Sequence, residues 1–141
     1  MSDKDFKQSQ IEGFEKLNLS KEWREKYNPD VAVKKDKTVI IMESSSTGDR
    51  KVHIGELAQF LAFVNSDTEY EEFYYVLFLC GVSENSPKEA TELSRLQFYY
   101  DNYPISKNKR EKIKGIYIKE KKSDKLTLTL DEIKKYECIS L

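Results

Sequence analysis

At 141 residues the chain is long enough for one domain and too short for two independent cores. Hydrophobic residues at 38% and aromatic residues at 12% exclude a disordered chain, because the apolar side chains are clustered. A formal net charge of −1 excludes a bulk polycation, so a nucleic-acid partner would have to be met by a local basic surface.

The two cysteines, Cys80 and Cys138, lack the CxxC spacing of a zinc site and make no disulfide framework. That usage reads as a reducing, cytoplasmic compartment. Met1–Gln10 is polar and charged, unlike a signal peptide. The longest apolar run, Phe73–Val82, is too short to span a membrane, so no membrane partner is expected.

In chain order, residues 5–27 predict helix. Phe6, Ile11, Phe14, Leu17, Leu19 and Trp23 give roughly helical spacing, imperfect around Gly13, and Ser20 offers a cap for a second helix. Asn28-Pro29 ends it, since the residue before proline disfavours the α conformation. Val31 and Val33, then the charged turn Lys34–Lys37, then Val39–Met42 predict a β-hairpin. The second strand is apolar throughout, as expected of a central strand covered on both faces. Ser44–Asp49 is a small polar loop. A helix from about Lys51 to Val64 follows, with Val52, Ile54, Leu57, Ala58, Phe60, Leu61 and Val64 as its stripe.

Beyond a turn at Asp67–Glu72, Phe73–Cys80 is a second fully apolar strand, with Cys80 as a small buried residue. Strand, helix and strand make a βαβ unit, so Val39–Met42 and Phe73–Cys80 are expected to lie adjacent and parallel. Ser86-Pro87 opens a helix running to about Tyr103, with Leu93, Leu96, Gln97 and Tyr100 on one side. Lys107–Lys114 is basic, Ile116–Lys119 and Leu126–Leu130 predict short strands, and Asp131–Tyr136 a closing helical turn. The whole, residues 1–141, reads as a single α/β domain of order α-β-β-α-β-α with a short C-terminal β appendix.

Asp30 opens the first strand of the hairpin and Glu43 ends the second, which places both carboxylates at one edge of the sheet. Two hard oxygen ligands suit Mg²⁺, with water and a phosphate oxygen completing the octahedron. Asp30 also suits a plain turn after Asn-Pro, and Glu43 an ordinary strand end. His53, the one histidine, is either a general base or a structural residue. The sequence displays no Ser/His/Asp or Cys/His constellation.

Pro29-Asp30, a gap and an apolar strand ending in Glu43-Ser44-Ser45 resemble the acidic motif of the PD-(D/E)xK nuclease superfamily. That superfamily includes many restriction endonucleases and the archaeal-type Holliday junction resolvases. The resemblance spans roughly Ile11–Tyr103 and draws on element order as much as on the motif. It implies a restriction-endonuclease-like mixed central sheet flanked by helices, and a Mg- or Mn-dependent endodeoxyribonuclease acting on DNA, as a homodimer. By that resemblance Asp30 and Glu43 would ligate the metal. Position 45 would carry a lysine that handles the attacking water, but this chain has Ser45 there. Lys51 is the first substitute and Arg50 the second. Glu56 and Gln59 could face the same site, and Glu12 or Glu15 could add an acid. Arg50, Lys107, Lys109, Arg110 and Lys112 would contact DNA, although Glu111 and Glu120 interrupt the basic run and a solvated face is the plainer reading. The absent lysine leaves open a second expectation, an inactive nuclease-fold protein that binds nucleic acid or a protein partner. A third is an interaction subunit using the aromatic helix Pro87–Tyr103, through Tyr99 and Tyr100.

Overall fold

The computed structural model describes residues 3–45, 50–79, 89–120 and 125–141. A mixed, open six-stranded sheet forms its centre. Around Val31–Lys35 (β3) and Thr38–Ser45 (β4) the chain closes a two-residue hairpin turn, Asp36-Lys37. Asp36 sits at φ 53°, a left-handed conformation that aspartate tolerates better than most residues. Arg50–Ser66 (α3) then crosses over to Glu72–Leu79 (β5), which pairs in parallel with β4 as expected. Ile113–Glu120 (β6) adds a third parallel strand beside β5.

Seven of the eight residues of β4 and of β5 are buried, as continuous apolar runs require in strands covered on both faces. Alternation along the strands sorts them into two cores. Val39, Ile41, Phe73, Tyr75, Leu77, Ile116 and Ile118 face α3 and the helix Glu89–Asn102 (α4). Ile40, Met42, Tyr74, Val76 and Phe78 face the chain's two ends, through Phe6, Ile11, Leu126, Leu128 and Ile133. Among the described residues no helix is long and apolar enough to cross a membrane.

The N-terminal segment departs most from expectation. Only Asp3–Phe6 (α1) and Lys21–Lys26 (α2) are helical in the stretch read as helix over residues 5–27. Gln10–Ile11 (β1) pairs in parallel with Thr127–Leu128 (β7), and Glu15–Lys16 (β2) pairs antiparallel with β3. Gly13, at φ +84°, makes the bend between them, and pairing with distant strands overrides the local helical spacing. Ser20 does cap α2, accepting from the Trp23 N–H at 3.3 Å. The closing turn is Leu130–Ile133 (α6), held by a capping box between Thr129 and Glu132. Glu137–Cys138 (β8) then pairs with β6 at the far edge, a strand the sequence does not signal.

Two further expectations change. Val52 is 40% exposed, and His53 takes its place among the inward residues of α3. Lys107–Arg110 (α5) is a single helical turn before β6. The readings of Cys80, of Ser86-Pro87 and of the loop residues 46–49 lie outside the described residues.

Candidate active site

Pairing of Val31 with Met42 carries the hairpin ladder to its open end, where Asp30 meets Glu43. Strand alternation turns both toward the face covered by α3. Each side chain clamps the other's strand. Glu43 Oε1 accepts the Asp30 backbone N–H at 2.8 Å, and Asp30 Oδ2 accepts the Ser44 backbone N–H at 2.9 Å. The Ser44 hydroxyl adds a long contact of 3.5 Å to the same Asp30 oxygen. Both donors are backbone N–H groups fixed by the hairpin, so the two carboxyl groups are held in place rather than loosely paired.

Glu43 is 6% exposed. Burial, then the charge of Glu56 on α3, then that of Asp30, push its pKa from the ordinary 4.5 to about 9; the Asp30 N–H and Lys7 oppose the rise. Three acidic side chains therefore share one electrostatic neighbourhood. Tyr27, which ends α2, and Tyr75 of β5 lie within it: burial first and Glu43 second raise both phenols well above their ordinary range. Among the described residues their buried hydroxyls find no hydrogen-bond partner.

A group whose protonation is favoured by burial beside other carboxylates also favours a cation in the proton's place. Asp30 and Glu43 in this way fit two ligands of a hard divalent ion. Among the described residues no three His, Cys, Asp or Glu side chains gather tightly enough to hold an ion by themselves. A two-carboxylate site that leaves most positions to water and phosphate is the arrangement Mg²⁺ favours.

The residue after next on β4 leads into a second network. Ser45 Oγ lies 2.9 Å from His53 Nε2, and His53 Nδ1 lies 2.7 Å from Glu92 Oε2 on α4. Arg95, one turn along α4, binds the other Glu92 oxygen. His53 and Glu92 are wholly buried. Glu92 is the residue that sequence reading misses. Its signal is positional: it stands four and eight residues before the buried Leu96 and Tyr100, an acid on an apolar stripe. His53 has the same place ahead of Leu57 and Leu61.

The other sequence-marked residues scatter. Lys51 is exposed in the first turn of α3, and Gln59 is also exposed. Arg50 opens α3, and its side chain lies outside the described ones. Lys7, in the turn after α1, is a cation acting on Glu43. Glu15 stands opposite Lys34, four residues along β3 from Asp30, and is ion-paired there; Glu12 is exposed between β1 and β2.

Lys107, Lys109, Arg110 and Lys112 are carried to the opposite end of the sheet. Ile113 pairs with Phe73 and Phe73 with Val39, whereas Glu43 pairs with Leu77 and Leu77 with Ile118. Four strand residues separate the two levels, about 13 Å. There Lys109 donates to the Asp67 carbonyl, Arg110 to the Tyr100 and Tyr103 carbonyls at 2.9 and 2.7 Å, and Lys112 to the Tyr70 carbonyl at 3.3 Å. Arg110 also stacks on the ring of the buried Tyr100, 4.4 Å from its centroid. Tyr99 is exposed and meets Phe98 edge to face.

On the carboxylate side an open groove of about 1070 Å³ runs between the N-terminal segment, α2 and β3. Lys7, Lys16, Arg24 and Lys125 line it together with Asn28 and Asp30. Comparison with protein-family models, curated proteins and solved structures finds no match to this chain.

Proposed function

We propose that the protein is a divalent-cation-dependent phosphodiesterase of restriction-endonuclease-like arrangement that cleaves DNA, with Asp30 and Glu43 as the protein's metal ligands. The observation that carries this reading is the reciprocal clamp, Glu43 to the Asp30 N–H and Asp30 to the Ser44 N–H. It fixes two carboxyl groups side by side at the carboxyl ends of parallel strands, where open α/β sheets bind their ligands. The cations of the adjoining groove suit a phosphate backbone, and Asp30 in its wall brings such a backbone to the pair.

Mg²⁺ or Mn²⁺ bound there would act as a Lewis acid on the phosphate and stabilise the charge that develops on it. The chain's own contribution is to orient the two ligands through backbone N–H groups and to keep the site dry on the α3 side. A duplex has two strands related by a two-fold axis, so this reading expects a homodimer.

Cleavage of supercoiled plasmid and of branched DNA with Mg²⁺ or Mn²⁺ tests it. The expected outcome is nicking or linearisation that disappears in Asp30→Ala and Glu43→Ala. No cleavage of any DNA, or equal cleavage by the variants, rejects it. A catalytically silent nucleic-acid binder is the second reading, favoured by the neutral Ser45 at the lysine position. It expects groove-dependent DNA binding and no Mn²⁺ binding that depends on Glu43 in calorimetry.

A further inference from the structure

The cations of the groove beside Asp30 are uncommitted, unlike those of the basic run. Lys7, Lys16, Arg24 and Lys125 are exposed along it, and among the described residues they make no salt bridge and no side-chain hydrogen bond. Against these four the lining carries two acids. Glu15 is ion-paired with Lys34 at 3.7 Å, and Asp30 is the proposed metal ligand. The groove therefore attracts a polyanion and leads it toward the carboxylate pair.

Its floor adds what a phosphate track alone does not need. Gly13, at φ +84°, turns the chain between β1 and β2, and the Phe14 N–H closes the bend on the Ile11 carbonyl at 3.0 Å. The Phe14 ring is half-buried against the second core and lines the groove. Among the described residues it makes no contact with another ring. A ring anchored in this way offers a stacking surface to any base. The exposed carboxamides of Gln8, Gln10, Asn18 and Asn28 stand along the same groove. They carry donors and acceptors for base edges, which are open only in an unpaired strand. Past Phe14 a second hollow of about 540 Å³ turns acidic, with Glu12, Asp36 and Asp131 outnumbering Lys35. Phosphates are repelled there, so the favourable track runs from Phe14 toward Asp30.

Size points the same way. About 1070 Å³ is the scale of a cleft that encloses one small ligand, so it admits a few nucleotides of one strand and not a duplex. A duplex meets the rim cations alone.

We propose that the groove takes a single, unpaired strand of DNA, with Phe14 stacked on a base, the four cations on its phosphates, and the strand leading toward Asp30. This rests on the phosphodiesterase reading above and names its substrate, DNA with a single-stranded tail or gap.

Fluorescence anisotropy in EDTA tests the binding apart from any cleavage. Labelled oligothymidylate should bind about tenfold or more tightly than its duplex with oligoadenylate. Phe14→Leu keeps the apolar packing but not the ring; it should weaken strand binding roughly 5- to 150-fold and leave duplex binding unchanged, and Phe14→Trp should preserve both. Lys16→Ala and Arg24→Ala, exposed and harmless to the core, should each lower the salt dependence of strand binding by about one.

Equal or tighter binding of the duplex overturns the proposal, as does strand binding indifferent to Phe14→Leu and to both cation variants. Tighter binding of oligouridylate overturns DNA as the ligand. With Mn²⁺, a duplex bearing a thymidylate tail should be cleaved faster than the blunt duplex. Equal cleavage of the two, lost in Asp30→Ala, rejects the single-strand groove and leaves the phosphodiesterase. Strand binding that depends on Phe14, with neither DNA cleaved, rejects the phosphodiesterase and leaves the groove.

Discussion

Two regions carry most of this chain's functional-looking sequence, and the fold treats them in opposite ways. At the carboxyl ends of β4 and β5, polar side chains converge: Asp30 on the Ser44 N–H, Glu43 on the Asp30 N–H, Ser45 on His53, His53 on Glu92. At the other end of the same sheet, Lys109, Arg110 and Lys112 of the basic run direct their charges into backbone carbonyl groups of Asp67, Tyr100, Tyr103 and Tyr70. The first region concentrates like charge in a dry place, which raises Glu43 and favours a cation. The second disperses charge by hydrogen-bonding it. Charge density along a sequence is thus a poor guide to charge available to a partner, whereas a buried group pushed from its ordinary pKa marks a place of stored electrostatic tension.

The sharpest way to break that comparison is catalytic. Asp30→Ala or Glu43→Ala should reduce metal-dependent DNA cleavage by about 10²-fold or more, since each removes a ligand from the charge-stabilising centre. The substitution Lys107→Ala, at the other region, should leave cleavage unchanged. Plasmid nicking rates at fixed Mn²⁺ measure both.

Stability against pH comes next. Glu43 titrates near 4.5 when unfolded and about 9 when folded, so the folded state keeps a proton that the unfolded chain releases between those values. Its contribution is intact below pH 4.5 and is lost as pH rises toward 9, by up to about 1.4 kcal/mol for each pH unit of the window. Thermal unfolding at pH 5, 7 and 9 should show the decline in the wild type and a flatter course in Glu43→Gln. Mn²⁺ at pH 8 should raise the unfolding temperature of the wild type and leave Glu43→Gln unmoved. A wild-type curve that rises with pH in parallel with Glu43→Gln would contradict the buried-acid account.

Arg110→Ala isolates the second region. It removes two hydrogen bonds to carbonyls and the stack on Tyr100. Loss of about 1–3 kcal/mol of unfolding free energy is expected in urea denaturation, with DNA affinity unaffected. The smallest effect separates the two candidate DNA surfaces. Lys7→Ala, Arg24→Ala and Lys125→Ala should each reduce the dependence of log affinity on log salt by about one, and Lys107→Ala should not. Fluorescence anisotropy with labelled duplex across a salt series reads the slopes. Equal slopes in all four variants would remove the groove from the DNA-binding surface.

The hairpin, both buried central strands and their parallel pairing were legible because long apolar runs and a charged turn admit few other structures. The convergence of Asp30 with Glu43 followed from register alone. The N-terminal segment was misread because Phe6, Ile11 and Phe14 satisfy a helical spacing as well as a sheet-covering one, and the partner that decides between them, β7, lies more than a hundred residues away. Val52 shows another limit within a helix: it is the apolar residue of the two, yet the spacing of four and eight ahead of the buried Leu57 and Leu61 belongs to His53, which turns inward.

By itself, then, the sequence determined an α/β core and a pair of acids at one sheet edge, since both depend on patterns a few residues long. Tertiary structure alone decided what those acids meet. Burial against α3 sets the proton affinity of Glu43, the crossing of α3 over β4 brings His53 to Ser45, and the packing of α4 supplies Glu92 from thirty-nine residues further on. Such contacts join segments that are far apart in the chain, and their energies come from desolvation and geometry that exist only once the two cores have closed.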